Sequence, residues 1–138
     1  MNRADFQTLS TMRVAEARVL LGAGEYTGSR YVMGYAIECA LKACIAKNVR
    51  RFDFPAKDSA SLYVHKLEDL FAHAKLRAAF DHDKITHPML ASHWNTVKDW
   101  SEQLRYVTTP TTEVVARDYF KACTARQTGM LTWIKKQW

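Results

Sequence analysis

Between Tyr26 and Lys47 the chain reads "YTGSRYVMGYAIECALKACIAK", and this stretch leaves few folds open. Val32, Met33, Ala36, Ile37, Cys39, Ala40, Leu41, Ala43 and Cys44 would cover well over half the circumference of a helix. A helix that is apolar nearly all round has to be surrounded by other helices. The remaining strip carries Tyr31, Tyr35, Glu38 and Lys42, spaced by three and four residues and therefore on one face. A buried carboxylate is costly unless it is paired and hydrogen-bonded. Lys42, one turn on, is one partner for Glu38. Arg13, at the centre of the apolar face of the preceding helix, is the natural second one, so an Arg13–Glu38 ion pair is expected. Such a pair either fixes helix register or forms the wall of a polar cleft, and the spacing allows both.

Helical periodicity runs through the rest of the chain and strand signals are poor. A first helix over about 5–21 places Phe6, Leu9, Ala17 and Leu20 on one face and stops at "GAG". The segment "NVRRFDFPAKDSASLY" reads as a long connection, with Pro55 and polar turn residues. A short helix carries "HKLEDLFAHAKL", with Leu67, Leu70 and Phe71 toward the core, and "AAFDHDKITHP" is expected to break it. A fourth helix over about 89–104 aligns Leu90, Trp94, Val97 and Leu104. Thr109 as N-cap and Pro110 at the first helical position would start a last helix running nearly to Trp138, with Val115, Tyr119, Ala122, Met130 and Trp133 as its stripe. The expectation is an all-α fold, an antiparallel bundle of four long helices plus one short helix, in one domain over residues 1–138.

The 138 residues suffice for a single core without disulfides or metal. No apolar run is long enough to span a membrane, and "MNRADFQTLS" lacks the apolar core of a secretion signal, so a cytoplasmic location is expected. Cys39, Cys44 and Cys123 form no C-x-x-C pair and read as buried free thiols. Lys and Arg number 20 against 14 Asp and Glu, a net charge of +6, which favours polyanionic partners such as RNA or an acidic protein.

"RVAEARVLLGAGEYTGSRYVMGYAIECALKACIAK" resembles the first two helices of HEPN domains, with Gly34-Tyr35-Ala36 followed by Glu38-Cys39-Ala40-Leu41-Lys42. "VHKLEDLFAHA" looks like that family's His-x-Leu helix, and "WNTVKDWSEQLRY" and "GMLTWIKKQW" look like its later helices. The resemblance implies a HEPN-like helical bundle that forms a homodimer around a shared cleft. It also implies one of three activities: metal-independent RNA cleavage, partnership with a small nucleotidyltransferase, or binding of a nucleotide or RNA without cutting. Four tryptophans, Trp94, Trp100, Trp133 and Trp138, offer aromatic surface for the dimer.

Cutting members of the family use an Arg followed within a turn or two by His. The equivalent stretch here is "LRYVTTPTTEVVARDYF", where Arg105 has no His after it, and no His occurs beyond His93. The catalytic pair is therefore not carried over, and no catalytic residue is assigned. Arg105 and Tyr106 remain able to bind phosphate, Arg through its bidentate fork and Tyr through its hydroxyl or ring. The ligand-binding candidates are Tyr31, Tyr35, Glu38, Lys42, His65, Arg105 and Tyr106. His65 is included because the resemblance points to it.

Arg77 and His82 match the spacing of the catalytic pair but lie elsewhere. The His82, Asp83, His87 and His93 cluster fits no metal-ligand spacing and reads as a polar loop. No phosphate loop or dinucleotide fingerprint is present, and no metal or cofactor is expected. The leading expectation is a HEPN-like module that binds a nucleotide, RNA or a partner protein, such as a small nucleotidyltransferase, without strand cleavage. One alternative is a HEPN-type endoribonuclease toxin with a displaced catalytic set using His65 or His82. A second alternative is a purely structural dimerisation module.

Overall fold

A computed structural model of the chain describes residues 1–48 and 64–138. All but Asn48 of the expected connection "NVRRFDFPAKDSASLY" lies outside the described residues. The first helix, α1 (Arg3–Gly22), starts with a reciprocal cap. The Asn2 side chain accepts from the Asp5 N–H at 3.1 Å, and the Asp5 carboxylate accepts from the Asn2 N–H at 2.8 Å. Two donors that a helix start leaves open are thereby satisfied. A tight turn follows in which Gly24 takes a φ of 81°, a left-handed conformation open to glycine at little cost.

The second helix, α2 (Tyr26–Lys47), then runs back antiparallel to α1. Buried Ser10 donates to the Ala36 carbonyl at 2.8 Å and buried Ser29 donates to the Ala17 carbonyl at 2.8 Å, so numbers rise along one helix as they fall along the other. Small residues line this seam, and each buried hydroxyl finds a carbonyl, so burying it costs little. The next helices are α3 (Leu67–His73), α4 (Arg77–Thr86) and α5 (Met89–Val97). A short 3₁₀ helix (Glu102–Tyr106) leads to α6 (Glu113–Thr124) and α7 (Met130–Lys135). α2 packs against α1, α3, α6 and α7. Its Met33, Ile37, Leu41 and Ile45 are buried, each contributing about 1.5–3 kcal/mol.

The regular structure among the described residues is all helical and forms a bundle, with seven α-helices rather than four long and one short. Among the described residues, no helix is long and apolar enough to cross a membrane. Three expected boundaries are corrected. "AAFDHDKITHP" does not break the helix pattern but supplies α4. Ala78 and Ala79 favour helix, Arg77 and Lys84 both pair with Asp81, and buried Phe80 anchors it. The break comes earlier, at Lys75, whose φ is 58°, and α4 ends just before Pro88, which disfavours helix at His87.

The helix expected to reach residue 104 stops at Val97, because the chain turns to tuck Trp100 under α2. The last helix is split at Ala125–Gly129. There the Thr132 hydroxyl donates to the Ala125 carbonyl at 2.9 Å, and the His93 ring Nδ1 lies 2.7 Å from the Thr128 carbonyl. Its N-cap is Thr112, whose side chain accepts from the Val115 N–H, and not Thr109. Val115, expected in the core, is exposed one residue row above buried Ala116 and Tyr119.

Three of the tryptophans are hidden within the chain itself. Trp94 and Trp133 join Phe71 and Phe80 in an aromatic cluster that ties α3, α4, α5 and α7 together, with ring centroids 4.6–6.2 Å apart. The Trp133 indole N–H donates to Asp83 at 2.8 Å. Trp100 is buried and donates to the Tyr31 carbonyl at 3.1 Å. These rings therefore supply no exposed aromatic surface for a second copy.

Trp100 lies directly on Gly34, and a Cβ at that position would overlap the indole ring. Gly34→Ala is expected to destabilise the fold by about 1–3 kcal/mol through overpacking, read by urea denaturation. The Trp100 emission spectrum should shift to longer wavelength as the ring is displaced. Unchanged stability and emission would show that the indole is not seated there.

Candidate functional site

Glu38 is the charged residue that the fold buries on α2, with its side chain only 5% exposed. Two groups compensate it. The Lys42 ammonium donates to Oε1 at 2.7 Å from one turn along the helix. The His65 ring, entering just ahead of α3, places Nδ1 3.0 Å from both Oε1 and Oε2. Both carboxylate oxygens are thus engaged, which is what a buried carboxylate requires. The His65 side chain remains 44% exposed, and its Nε2 has no partner among the described residues.

The expected Arg13–Glu38 pair is not formed. Arg13 instead pairs with Glu16, 3.1 Å away on its own helix. Its Nε is buried without a hydrogen-bond partner among the described residues. Arg13 lines a depression of about 290 Å³ with Leu9, Tyr31, Tyr35 and Cys39, so it borders the polar strip without closing on Glu38.

Next to Glu38 the strip is aromatic. The Tyr31 and Tyr35 hydroxyls are 3.2 Å apart, and the rings meet edge to face at 5.1 Å. Tyr35 also packs edge-on against Trp100 at 4.9 Å and against the His65 ring at 6.5 Å. Arg105, on the 3₁₀ helix, is exposed beside the Tyr31 hydroxyl, and its guanidinium lies 4.9 Å from the centroid of the exposed Tyr106 ring. Tyr31 first, then Tyr106, hold the Arg105 guanidinium still more firmly in its charged form. The Glu102 carboxyl is held below its usual range mainly by a hydrogen bond from Gln103, with smaller pulls from both His65 and Arg105. One carboxylate thus lies near both side chains.

The strip therefore brings Tyr31, Tyr35, Glu38, Lys42 and His65 together, with Arg105 and Tyr106 at its edge. Trp100, Glu102 and Cys39 belong to the same neighbourhood and carry no spacing signal in the sequence. Burial, then the hydrogen bond with Tyr31, pushes the Tyr35 phenol well up. Burial, then the Glu38 charge, pushes the Cys39 thiol up to about 11. Neither is a nucleophile or base near neutral pH.

Other sequence candidates lie apart from this strip. Arg77 pairs with Asp81 at 3.8 Å and stacks over Phe71, while His82 is exposed. Five positions apart on α4, Arg77 and His82 point about 140° away from each other. His93 and Asp83 are taken up by structural hydrogen bonds. Among the described residues, no group of three or more His, Cys, Asp or Glu side chains could hold a metal ion. No protein-family model, curated protein or solved structure matches this chain.

Glu38→Leu should cost about 3 kcal/mol in urea denaturation, because it strands the mostly buried Lys42. Adding Lys42→Met should recover at least about 1 kcal/mol of that loss. Arg13→Met should cost less than about 1 kcal/mol, since its partly exposed pair with Glu16 adds little. A large Arg13 effect that is non-additive with Glu38→Leu would restore the Arg13–Glu38 coupling.

Proposed function

We propose that the strip on α2 is the binding site of a HEPN-like module for a phosphate-bearing ligand, a nucleotide or RNA. The observation that carries this reading is the convergence of Arg105, Tyr31, Tyr35 and the open edge of His65 beside the Arg13-lined depression. Arginine presents a fork that fits phosphate oxygens. Exposed Tyr106 offers a face on which a base can stack. The buried Nε of Arg13, without a partner among the described residues, is a donor in want of an acceptor. A net charge of +6 draws a polyanion toward the surface. The homodimer implied by the family resemblance would use a surface other than the three buried tryptophans. The shallow groove of Ala15, Glu16, Val19, Leu20 and Val32 on α1 and α2 would be such a surface.

Binding to a fluorescein-labelled single-stranded RNA is expected to weaken steeply between low and physiological salt. Arg105→Ala should weaken it about tenfold, the worth of one charged hydrogen bond. Salt-independent binding, or binding indifferent to Arg105, would overturn the assignment of the strip.

A second reading, metal-independent cleavage of RNA, is favoured by one specific observation. The Glu38–His65 pair leaves a carboxylate-held imidazole with one nitrogen outward, a common arrangement for proton transfer. Incubation of RNA with the protein in excess chelator separates the two. Intact RNA supports binding alone. Scission that disappears in His65→Ala supports the second reading.

A further inference from the structure

We infer that Glu38 holds His65 in its Nδ1–H tautomer, so that Nε2 is a hydrogen-bond acceptor kept for a ligand hydroxyl, and that His65 thereby selects ribonucleotides over deoxyribonucleotides. The ribose part rests on the reading of the strip as a nucleotide or RNA site. The tautomer part does not.

The geometry fixes the proton. Nδ1 lies 3.0 Å from both oxygens of Glu38, and a carboxylate can only accept. An unprotonated Nδ1 would set its lone pair against two others, so Nδ1 carries the hydrogen. A neutral imidazole has one N–H, which leaves the lone pair on Nε2. Glu38 cannot swing away to release the ring, because Lys42 holds Oε1 at 2.7 Å and the carboxylate is buried. The Tyr35 ring, edge-on at 6.5 Å, limits rotation of the imidazole. Among the described residues, the ionisable groups around the ring are Glu38, Lys42, Tyr35, Glu102 and Arg105.

Within the strip, the Tyr31 and Tyr35 hydroxyls face each other, and both Glu38 oxygens are engaged. Among the described residues, Nε2 of His65 has no partner, and as an acceptor it calls for a donor from the ligand. A phosphate oxygen or a base carbonyl has no proton to give, whereas a ribose 2′-hydroxyl does; a base N–H can give one too, but ribo- and deoxyribonucleotides share it, so the hydroxyl is the donor that tells them apart. With the ligand phosphate on Arg105, a hydroxyl on the adjoining sugar is the group that completes His65.

The test uses the full chain labelled with ¹⁵N-histidine, at pH 8. Two-bond ¹H–¹⁵N spectra distinguish Nδ1–H, Nε2–H and doubly protonated rings. Wild type should show His65 as Nδ1–H, while folded Glu38→Leu/Lys42→Met, which offers the ring no acceptor, should lose that dominance. A wild-type Nε2–H or doubly protonated His65, or a pattern unchanged in Glu38→Leu/Lys42→Met, overturns the tautomer assignment. In parallel, a labelled uridine oligonucleotide and its 2′-deoxy counterpart are titrated in chelator. Wild type should prefer the ribose form about five- to tenfold. His65→Phe, checked for folding by circular dichroism, should abolish the preference. A preference that survives His65→Phe, or none in wild type, overturns the ribose assignment. Failure of wild type to bind either oligonucleotide removes the nucleotide reading and the ribose assignment together, and the spectra still decide the tautomer.

Discussion

α2 is buried on nearly every side, and the placement of the other helices follows from that. Its small residues let α1 approach closely enough for Ser10 and Ser29 to reach main-chain carbonyls across the seam. Its larger ones, Met33, Ile37, Leu41 and Ile45, need cover from several elements, which α3, α6 and α7 supply. A helix so enclosed has almost no room for charge. Glu38 is tolerated only because Lys42 and His65 reach it, and His65 can reach it only from the chain leading into α3. The demand for burial and the demand for compensation together bring a histidine to the edge of the core.

The same economy shapes the aromatic end of the strip. Gly34 leaves a hole in the surface of α2, and Trp100 fills it. Seating that ring forces the chain out of α5 and into the 3₁₀ helix that carries Arg105 and Tyr106. The indole N–H, which would otherwise be stranded, is satisfied by the Tyr31 carbonyl. Core packing at Gly34 thus determines where the exposed guanidinium sits relative to Tyr31 and His65. A packing change there would move the candidate site without touching any of its polar groups.

Much of this was legible in the sequence where burial is periodic. The bounds of α2, the polar strip on it, and core positions such as Leu67, Phe71, Leu90, Trp94 and Tyr119 follow from spacing alone. α4 is less legible because it buries a single residue, Phe80, among charged neighbours that resemble a loop. The ends of α5 and α6 are set by tertiary contacts, Trp100 on Gly34 and His93 against the Thr128 carbonyl, which local propensity does not encode. The partner of Glu38 is the sharpest case. Arg13 lies across the seam in a helical-wheel sense, but His65 lies 27 residues from Glu38 in the sequence, and no spacing rule reaches it. Its place in the sequence pattern came from family resemblance and not from periodicity.

The chemistry open to the strip follows from which groups are free to exchange protons. Burial pushes the Tyr35 phenol and the Cys39 thiol further above neutrality, and Tyr31 strengthens the hold of the Arg105 guanidinium on its proton. Lys42 donates to Glu38. Tyr35, Cys39 and Arg105 can bind, orient or exclude, but they do not readily give or take a proton near pH 7. The stretch after Arg105 contains no histidine. His65 instead reaches the strip from a different element, the chain leading into α3. Glu102, on the 3₁₀ helix with Arg105, feels both Arg105 and His65 across the gap that separates them. A ligand phosphate on Arg105 and a ligand hydroxyl on His65 would span that gap, and the buried carboxylate behind the imidazole would hold it in register.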